Sequence, residues 1–499
     1  AHRGAMRIRG ITWAAARIPL TEVIMRSRAL ALLGVLSVAG CAAVNPRAGL
    51  GDIERLVSKR AQLTVTWPEN EAASRAADAT VSELVARELT AESAVKIALL
   101  NNRNLRAVYQ DLGVQEAELV QAGLLPNPVL SADVRFGVGA SGTGADLGLV
   151  QDVISALQIP LRKRVAGAAL EVAKVAAADA VLKLALDTKA SFYRVQGALQ
   201  MLELRRTVVS ATAVARDIAE RQHEAGNISD LDLASQVAQN EDAKLELASA
   251  ESAVVSDREE LNTLLGLWGE LTTWKTAARL PTLPRADVAS TGLETLAVFQ
   301  RLDLEEARLR TGGAMAQYRM GRLYGLIPNA SMGAAAQREL DGAWSLGPAL
   351  DIPIPLFDQR QALLASAAAR VRGNQERYAA LAVGIRAQVR RAWSGLEAAR
   401  ARAEYFEKVV LPLHARIVEE TQRKYNGMFI GVFQLLQAKR DQVDAGRRYV
   451  EALIGYWVSR VDLERAVGGE LRLEESSRPT TPTPAGEPAM NHQQHHQGG

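Results

Sequence analysis

The chain has 499 residues, of which 48% are hydrophobic, 5% aromatic and 23% charged. Its formal charge of +3 is unevenly placed, because residues 1–40 hold six arginines against one acid, Glu22, leaving 53 basic and 55 acidic residues for the rest. No basic patch interleaved with aromatics occurs, which argues against a nucleic-acid partner, and the single cysteine, Cys41, leaves no disulfide, so packing must supply the stability.

The leader accounts for the basic surplus. MRSRALALLGVLSVAGC, Met25 to Cys41, has a short basic start and an apolar run that ends in small residues. That run is too short to span a bilayer as a mature helix. Residues 1–24 read as an upstream extension. Val38-Ala39-Gly40-Cys41 resembles the bacterial lipobox, in which the cysteine is lipidated and becomes the first residue. An ordinary signal peptide is the alternative. Ala42, where an Asp would favour the inner membrane, fits retention at the outer membrane by analogy with bacterial lipoproteins. Residues 41–89 read as an N-terminal tether or equatorial segment.

Two collinear halves follow. Leu125-Pro126-Asn127 recurs as Ile327-Pro328-Asn329, Ala156 to Pro160 as Ala349 to Pro353, and Gly226 with Gln236 as Gly427 with Gln437. The first half, 90–265, opens with a helix capped by Thr90, with Ser93 three residues on. A hairpin over 129–154 comes next. In VLSADVRF, Leu130, Ala132, Val134 and Phe136 alternate with Ser131, Asp133 and Arg135. After the glycines, Leu147, Leu149 and Val153 share a face, with Gln151 as the exception. The G-x-G-x-x-G of Gly137, Gly139 and Gly142 lies between these strands. A dinucleotide turn needs a helix starting in it, and none starts for about ten residues, so the glycines read as a hairpin loop. Long helices are expected over 161–224 and 229–265, separated by Ala225-Gly226-Asn227. Residues 266–292 link the halves.

The second half, 293–468, repeats the plan. Residues 293–325 are expected to be helical. A hairpin over 330–352 turns at Asp341-Gly342, with Trp344, Leu346, Leu350 and Ile352 on one face. Long helices are expected over 357–425, kinked at Pro412, and over 432–467, with Asn426-Gly427 between them. The tail, 469–499, is rich in Pro, Thr and His and reads as disordered.

Helices this long cannot form a globular core and must pack side by side. A lone hairpin is marginal in water. In a membrane its unpaired edges would be very costly, so its strands must close into a barrel. Four strands cannot close one, so several chains must pool their hairpins into an oligomeric pore. Polar faces would line water and apolar faces would meet lipid. Phe136 and Trp344 are candidates for an interfacial aromatic girdle.

The twofold repeat, the leader ending at Cys41, LLPNP at 124–128, IPL at 159–161 with IPIPLF at 352–357, AGNISDLDLASQ at 225–236 and YNGMFIGVFQLLQAKRD at 425–441 together resemble the TolC outer-membrane factor family, lipoprotein type. The resemblance covers roughly residues 85–468. It implies a mainly α fold with membrane β. Twofold-repeat helical hairpins would form a periplasmic α-barrel. Four strands per chain would contribute to a trimeric 12-stranded outer-membrane β-barrel. It also implies a homotrimer, extending into the periplasm, that acts as a passive exit duct and not as an enzyme. Its partners would be a periplasmic membrane-fusion adaptor and an inner-membrane RND-type transporter. A periplasmic coiled-coil scaffold without a pore and a type I protein-secretion duct are the alternatives.

On this resemblance the two tight turns mark the periplasmic mouth. Asp230 and Asp232 follow Gly226 closely, and three copies of each would make a cation-attracting ring. The alternative is that Asp230 caps a helix and Asp232 is solvated. In the second half the positions six and nine after Gly427 are Phe433 and Leu436, with Gln434 the nearest polar group, so an acid ring would rest on the first half. Gly226, Asn227, Asn426 and Gly427 are the expected adaptor contacts. No cofactor is expected beyond the lipid on Cys41. His492, His495 and His496, beside Met490, suit copper and related ions. A solubilising tail or a tag fragment is the alternative reading. Toxic metal ions or small-molecule drugs are the expected cargo.

Overall fold

The computed structural model describes residues 45, 49–65, 70–136, 142–287, 289–325 and 329–471. Residues 1–46 and 47–499 form two units, and the second holds every element below. Cys41, His492, His495 and His496, and Gly137 and Gly139 of the first hairpin loop, lie outside the described residues.

Helices α1 (Leu50–Ala61) and α2 (Glu71–Ala86) lead to a two-residue strand β1 (Glu88–Leu89). Then come α3 (Ala91–Asn101) and α4 (Arg103–Gly123). Thr90 caps α3, with a reciprocal bond between its side chain and Ser93. The segment expected as one helix over 90–123 is broken at Asn102, whose extended backbone ends α3 while its side chain caps α4 at Leu105. Strands β2 (Val129–Phe136) and β3 (Thr143–Asp152) form the first hairpin.

Helix α5 (Val153–Glu224) has 72 residues and so runs roughly 110 Å. It starts eight residues before the expected 161, with Pro160 inside its first turns. A proline there forfeits one backbone bond, and the Tyr324 hydroxyl donates to the Leu157 carbonyl beside the gap. Asp152 caps α5 through the Ser155 amide, so the strand passes directly into the helix and the hairpin ends at 152 rather than 154. Helix α6 (Asp230–Leu265) returns antiparallel and ends on Gly266 at φ 67°. A single 3-10 turn (Gly269–Thr273) and strand β4 (Lys275–Thr276), parallel to β1, follow.

The second half repeats this with α7 (Leu293–Gln300), α8 (Leu302–Tyr324), β5 (Ser331–Arg338) and β6 (Trp344–Asp351). Here too the expected continuous helix, 293–325, is broken, at Arg301. Helix α9 (Gln361–Tyr405) begins four residues later than the expected 357, and α11 (Val432–Val467) returns after α10 (Leu411–Asn426). Pro412 does not break the wall. The backbone widens into a π turn at Phe406–Val410 just before it, which absorbs the missing amide and the ring clash.

The two helix breaks do the same job in the two halves. Asn102 donates to the Leu264 carbonyl and Asn101 to those of Leu265 and Gly266, tying the end of α6 to the α3–α4 break. Arg301 donates to the Arg465 and Ala466 carbonyls, tying the end of α11 to the α7–α8 break. Gly266 and Gly468 both sit at positive φ, where the helix ends need a left-handed residue.

The core gathers around the middle of α5. Ile53, Val57, Val95, Tyr109 and Val181 pack in one cluster. Leu89, Ile97, Phe192, Val195, Leu261 and Trp274 pack in a second. A third holds Leu293, Ile385, Val389, Tyr456 and Leu463 in the other half. The segment between the halves is pinned by Asp287, which accepts from Tyr456 Oη at 2.7 Å and pairs with Arg400 at 2.9 Å and Arg460 at 3.3 Å. Burial, with the hydrogen bond to Asp287, pushes the Tyr456 hydroxyl up to about 12. Burial likewise raises the Glu464 carboxyl, against the pull of Lys189 at 3.6 Å.

Asp287→Ala takes the shared carboxylate from Arg400, which keeps Glu404 at 2.7 Å, and from Arg460 and Tyr456, and is expected to cost about 3 kcal/mol. Asp187→Ala removes an exposed pair to Arg465 and is expected to cost below about 1 kcal/mol. Guanidinium titration of the helical circular dichroism of both variants checks the difference.

Candidate transmembrane sheet and periplasmic turns

The two hairpins join into one antiparallel sheet of four strands, in the order β2-β3-β5-β6. The register places every strand in phase. Leu130 faces Leu149, Leu149 faces Ala334, and Ala334 faces Pro348. One rung on, Ala132, Leu147, Ala336 and Leu346 lie across the sheet. One face is therefore built from Leu130, Val134, Leu147, Leu149, Met332, Leu346 and Leu350, with Phe136 and Trp344 at its far end. These side chains are exposed, Leu346 at 81% and Phe136 at 76%. Three polar residues share this face: Thr143 and Arg338 at the far end beside Phe136 and Trp344, and Gln151, which donates to the Pro126 carbonyl at 2.9 Å.

The other face is small or polar. It carries Ser131, Asp133, Arg135, Asp146, Gly148, Ser331, Gln337, Ser345 and Gly347. Asp133 stands directly opposite Asp146, which would repel. Arg135 reaches diagonally to Asp146 at 2.8 Å and relieves it. Strands of 8 to 10 residues are long enough to cross a tilted outer-membrane band.

The sheet is open. β2 and β6 each pair on one side only among the described residues. An apolar face this exposed, joined to two unpaired edges, is incompatible with water and with lipid alike until the edges are paired.

At the other end of α5 and α6 the chain turns at Gly226, with φ 74°. The Asn227 amide donates to the Gln222 carbonyl and Gly226 to His223, both at 2.8 Å. In the second half Phe429 donates to Lys424 at 3.0 Å and Met428 to Tyr425 at 2.9 Å. The left-handed residue there is Met428 at φ 60°, while Gly427 has φ −81°. The structural partner of Gly226 is thus Met428, not Gly427. On the same offset Ser229 matches Gly431, both preceding their helices. Asp230 then matches Val432, Asp232 matches Gln434, and buried Gln236 matches buried Ala438.

The two acids differ from the expected alternative. Ser229, not Asp230, caps α6, and Asp232 completes the reciprocal capping box. Asp230 has a side chain 97% exposed, with His223 Nε2 3.3 Å from it. Of the two acids, Asp230 is the one outside the capping box. Gln434 is exposed, and Asn227, Asn426 and Gly427 lie on the exposed turns. The pair Met428 and Phe429, 93% and 83% exposed, forms the tip of the second turn. The sequence points to Gly427 as the left-handed residue of this turn, because glycine takes that conformation at no steric cost, whereas Met428 takes it.

A model of the outer membrane efflux protein family matches residues 295–469. The cobalt-zinc-cadmium resistance protein CzcC of Cupriavidus metallidurans is 24% identical over 391 residues, which is 76% of this chain and 90% of that protein. Residues 295–469 thus carry the sequence pattern of the outer membrane efflux protein family. Solved structures repeat the fold. A CusC structure aligns with TM-score 0.63 at 17% identity, over 77% of this chain and 93% of its own. The CmeC outer membrane channel of Campylobacter jejuni aligns with TM-score 0.65 at 14% identity, over 83% and 91%.

The two faces of β6 give a direct check. Leu346→Arg is expected to destabilise the membrane-inserted sheet by about 2–4 kcal/mol, whereas Ser345→Arg, one residue away on the other face, costs well below about 1 kcal/mol. Urea unfolding in lipid vesicles, followed by Trp fluorescence, reads both. At the turn, Asp232→Ala breaks the capping box and is expected to cost about 1 kcal/mol, with Asp230→Ala near neutral.

Proposed function

We propose that three copies of this chain close a 12-stranded barrel and that it serves as the exit duct of a tripartite pump for toxic metal ions. The reading is carried by one observation, the open four-stranded sheet with one lipid-like and one polar face. Its edge strands β2 and β6 are antiparallel neighbours in waiting: β6 of one copy can pair with β2 of the next. With four strands per copy, three copies reach the size at which a barrel encloses water. A pore-free periplasmic scaffold gains nothing from such a face.

The other members of the pump are a periplasmic membrane-fusion adaptor, meeting the turns at Gly226–Asn227 and Asn426–Phe429, and an inner-membrane RND-type transporter. Asp230, three copies at the mouth, draws cations toward it. Gln434 supplies polarity but no charge. Cys41 carries the lipid anchor, with the cysteine's neighbours as the support. The His492, His495 and His496 cluster binds copper or a similar ion weakly, on the strength of its donor chemistry alone. Phe136 and Trp344 form the outer aromatic girdle, since both stand at the strand ends away from the helices. The metal cargo is favoured over organic drugs by the name of the cobalt-zinc-cadmium resistance relative.

A deletion strain tested for growth on cobalt, zinc, cadmium, copper, silver and a panel of organic antimicrobials decides the cargo. Metal hypersensitivity restored by the full chain is expected. Hypersensitivity to the organic compounds alone would sink the metal reading while leaving the duct. Complementation by a chain ending at Pro488 tests the tail: weaker rescue on copper or silver is expected if its histidines act.

A further inference from the structure

Below the sheet the chain keeps an apolar face where it no longer has strands. In the segment between β6 and α9, Ile354, Leu356 and Phe357 are 76%, 70% and 92% exposed. Ile352 and Ile354 continue the alternation of Leu346 and Leu350, so the lipid face of β6 runs on by about 3.3 Å per residue past the last rung. Among the described residues no helix or strand covers it.

Immediately beyond this apolar strap the charge changes abruptly. Residues 115–123, 153–170, 317–325 and 353–372, the helix ends beneath the sheet, hold eight basic residues and three acids, Glu116, Glu118 and Asp358. The rest of the chain beyond residue 40 is slightly acidic, so this layer is a local feature. Contacts fix its level. Tyr324 reaches Leu157, the position of Gly321 abuts Leu363 and Leu364, and Gly325 abuts Arg360. Arg164, Arg319 and Arg322 therefore lie in one band across α5 and α8. All three are exposed. Deeper in the wall, Arg308 and Arg310 are paired with Glu305 and Glu306. Among the described residues, Arg164, Arg319 and Arg322 have no carboxylate within the 4.0 Å ion-pair limit.

A large cavity between the helices is lined by Arg162 and Val165 of α5 and by Gln317 and Met320 of α8. Arg164 and Arg319 each stand one residue from a lining position on one side and two from another, Arg322 stands two from Met320, and none of the three lines the cavity. They are exposed and turned away from it. An apolar strap followed by unpaired outward guanidiniums has the polarity of a leaflet boundary, acyl chains first and phosphates next.

We propose that this band binds the headgroups of anionic phospholipids in the periplasmic leaflet, with Arg164, Arg319 and Arg322 on the phosphates and Ile354, Leu356 and Phe357 among the acyl chains. The anionic lipid then sets the height of the channel in the membrane. The inference rests on the outer-membrane placement of the sheet. It is separable from it, because insertion as such needs only the apolar face.

The test uses the full chain in detergent, with native mass spectrometry after adding phosphatidylglycerol or phosphatidylcholine of the same acyl chains. Phosphatidylglycerol is expected to be retained several-fold better, since each basic group near a lipid surface is worth about fivefold in affinity. The variant R164Q/R319Q/R322Q is expected to retain both lipids equally, and R164K/R319K/R322K to keep most of the preference. Arg416→Gln, far down the wall, leaves it unchanged. Equal retention of the two lipids by the unaltered chain, or an undiminished preference in the glutamine variant, overturns the proposal. Should the glutamine variant fail to assemble, the salt dependence of the unaltered chain decides: an anionic preference that persists undiminished at 1 M salt overturns it, and one that collapses supports it. Failure of the chain to enter phosphatidylcholine vesicles at all would instead strike the membrane placement.

Discussion

Unpaired backbone on a sheet edge is the constraint from which the rest of this structure follows. Every N–H and C=O on the outer sides of β2 and β6 must find a partner before the sheet enters lipid, where an unmatched group costs several kcal/mol. One chain has four strands and cannot supply those partners itself. The two-faced sheet is therefore a fragment, and its incompleteness is what calls for further copies. The apolar face only decides where the completed object goes.

The long helices meet a related constraint with different means. A helix of 72 residues satisfies its own backbone but cannot bury itself. It packs against α4, α6, α8 and α11 in turn, and its central third carries most of its buried large side chains, among them Val181, Leu186, Phe192 and Val195. Toward Gly226 the buried positions thin to Ala215 and Ala219. The middle of the wall is thus a firm collar, held by Asp287, Arg400 and Arg460 and by the ties at Asn101, Asn102 and Arg301. The lower ends rest on narrower alanine contacts. Stability graded in this way puts the freedom to rearrange at the mouth, away from the membrane.

The two halves share a plan but not a chemistry. Gly226 takes a left-handed conformation at no steric cost, while its counterpart Met428 takes the same conformation against its own side chain. The first turn is closed by a capping box of Ser229 and Asp232. The second starts its helix at Gly431, with no side-chain cap. One turn is polar and well tied, the other apolar and loosely tied. Duplicated backbones with diverged turns thus give each chain two turns of different kinds.

Much of this was legible in the sequence because it depends on short-range pattern. Period-two alternation in Val129–Phe136 and Trp344–Asp351, proline-free helical stretches and the twofold repeat of Leu125-Pro126-Asn127 are local or collinear signals, and they determined the hairpins, the long helices and the duplication. What they could not determine were features that depend on partners distant in the chain. Pro160 reads as a helix start, yet Asp152 caps the helix eight residues earlier and Tyr324, far along the chain, donates beside the proline's gap. Asn102 and Arg301 read as helix interior. They break the chain because each side chain is worth more holding the carbonyls of a helix that returns over 160 residues later. The pairing of β3 with β5 and the match of Gly226 with Met428 were likewise settled only in three dimensions. Periodicity states which face of an element is apolar. Only tertiary packing decides which other element, or which other copy of the chain, will cover it.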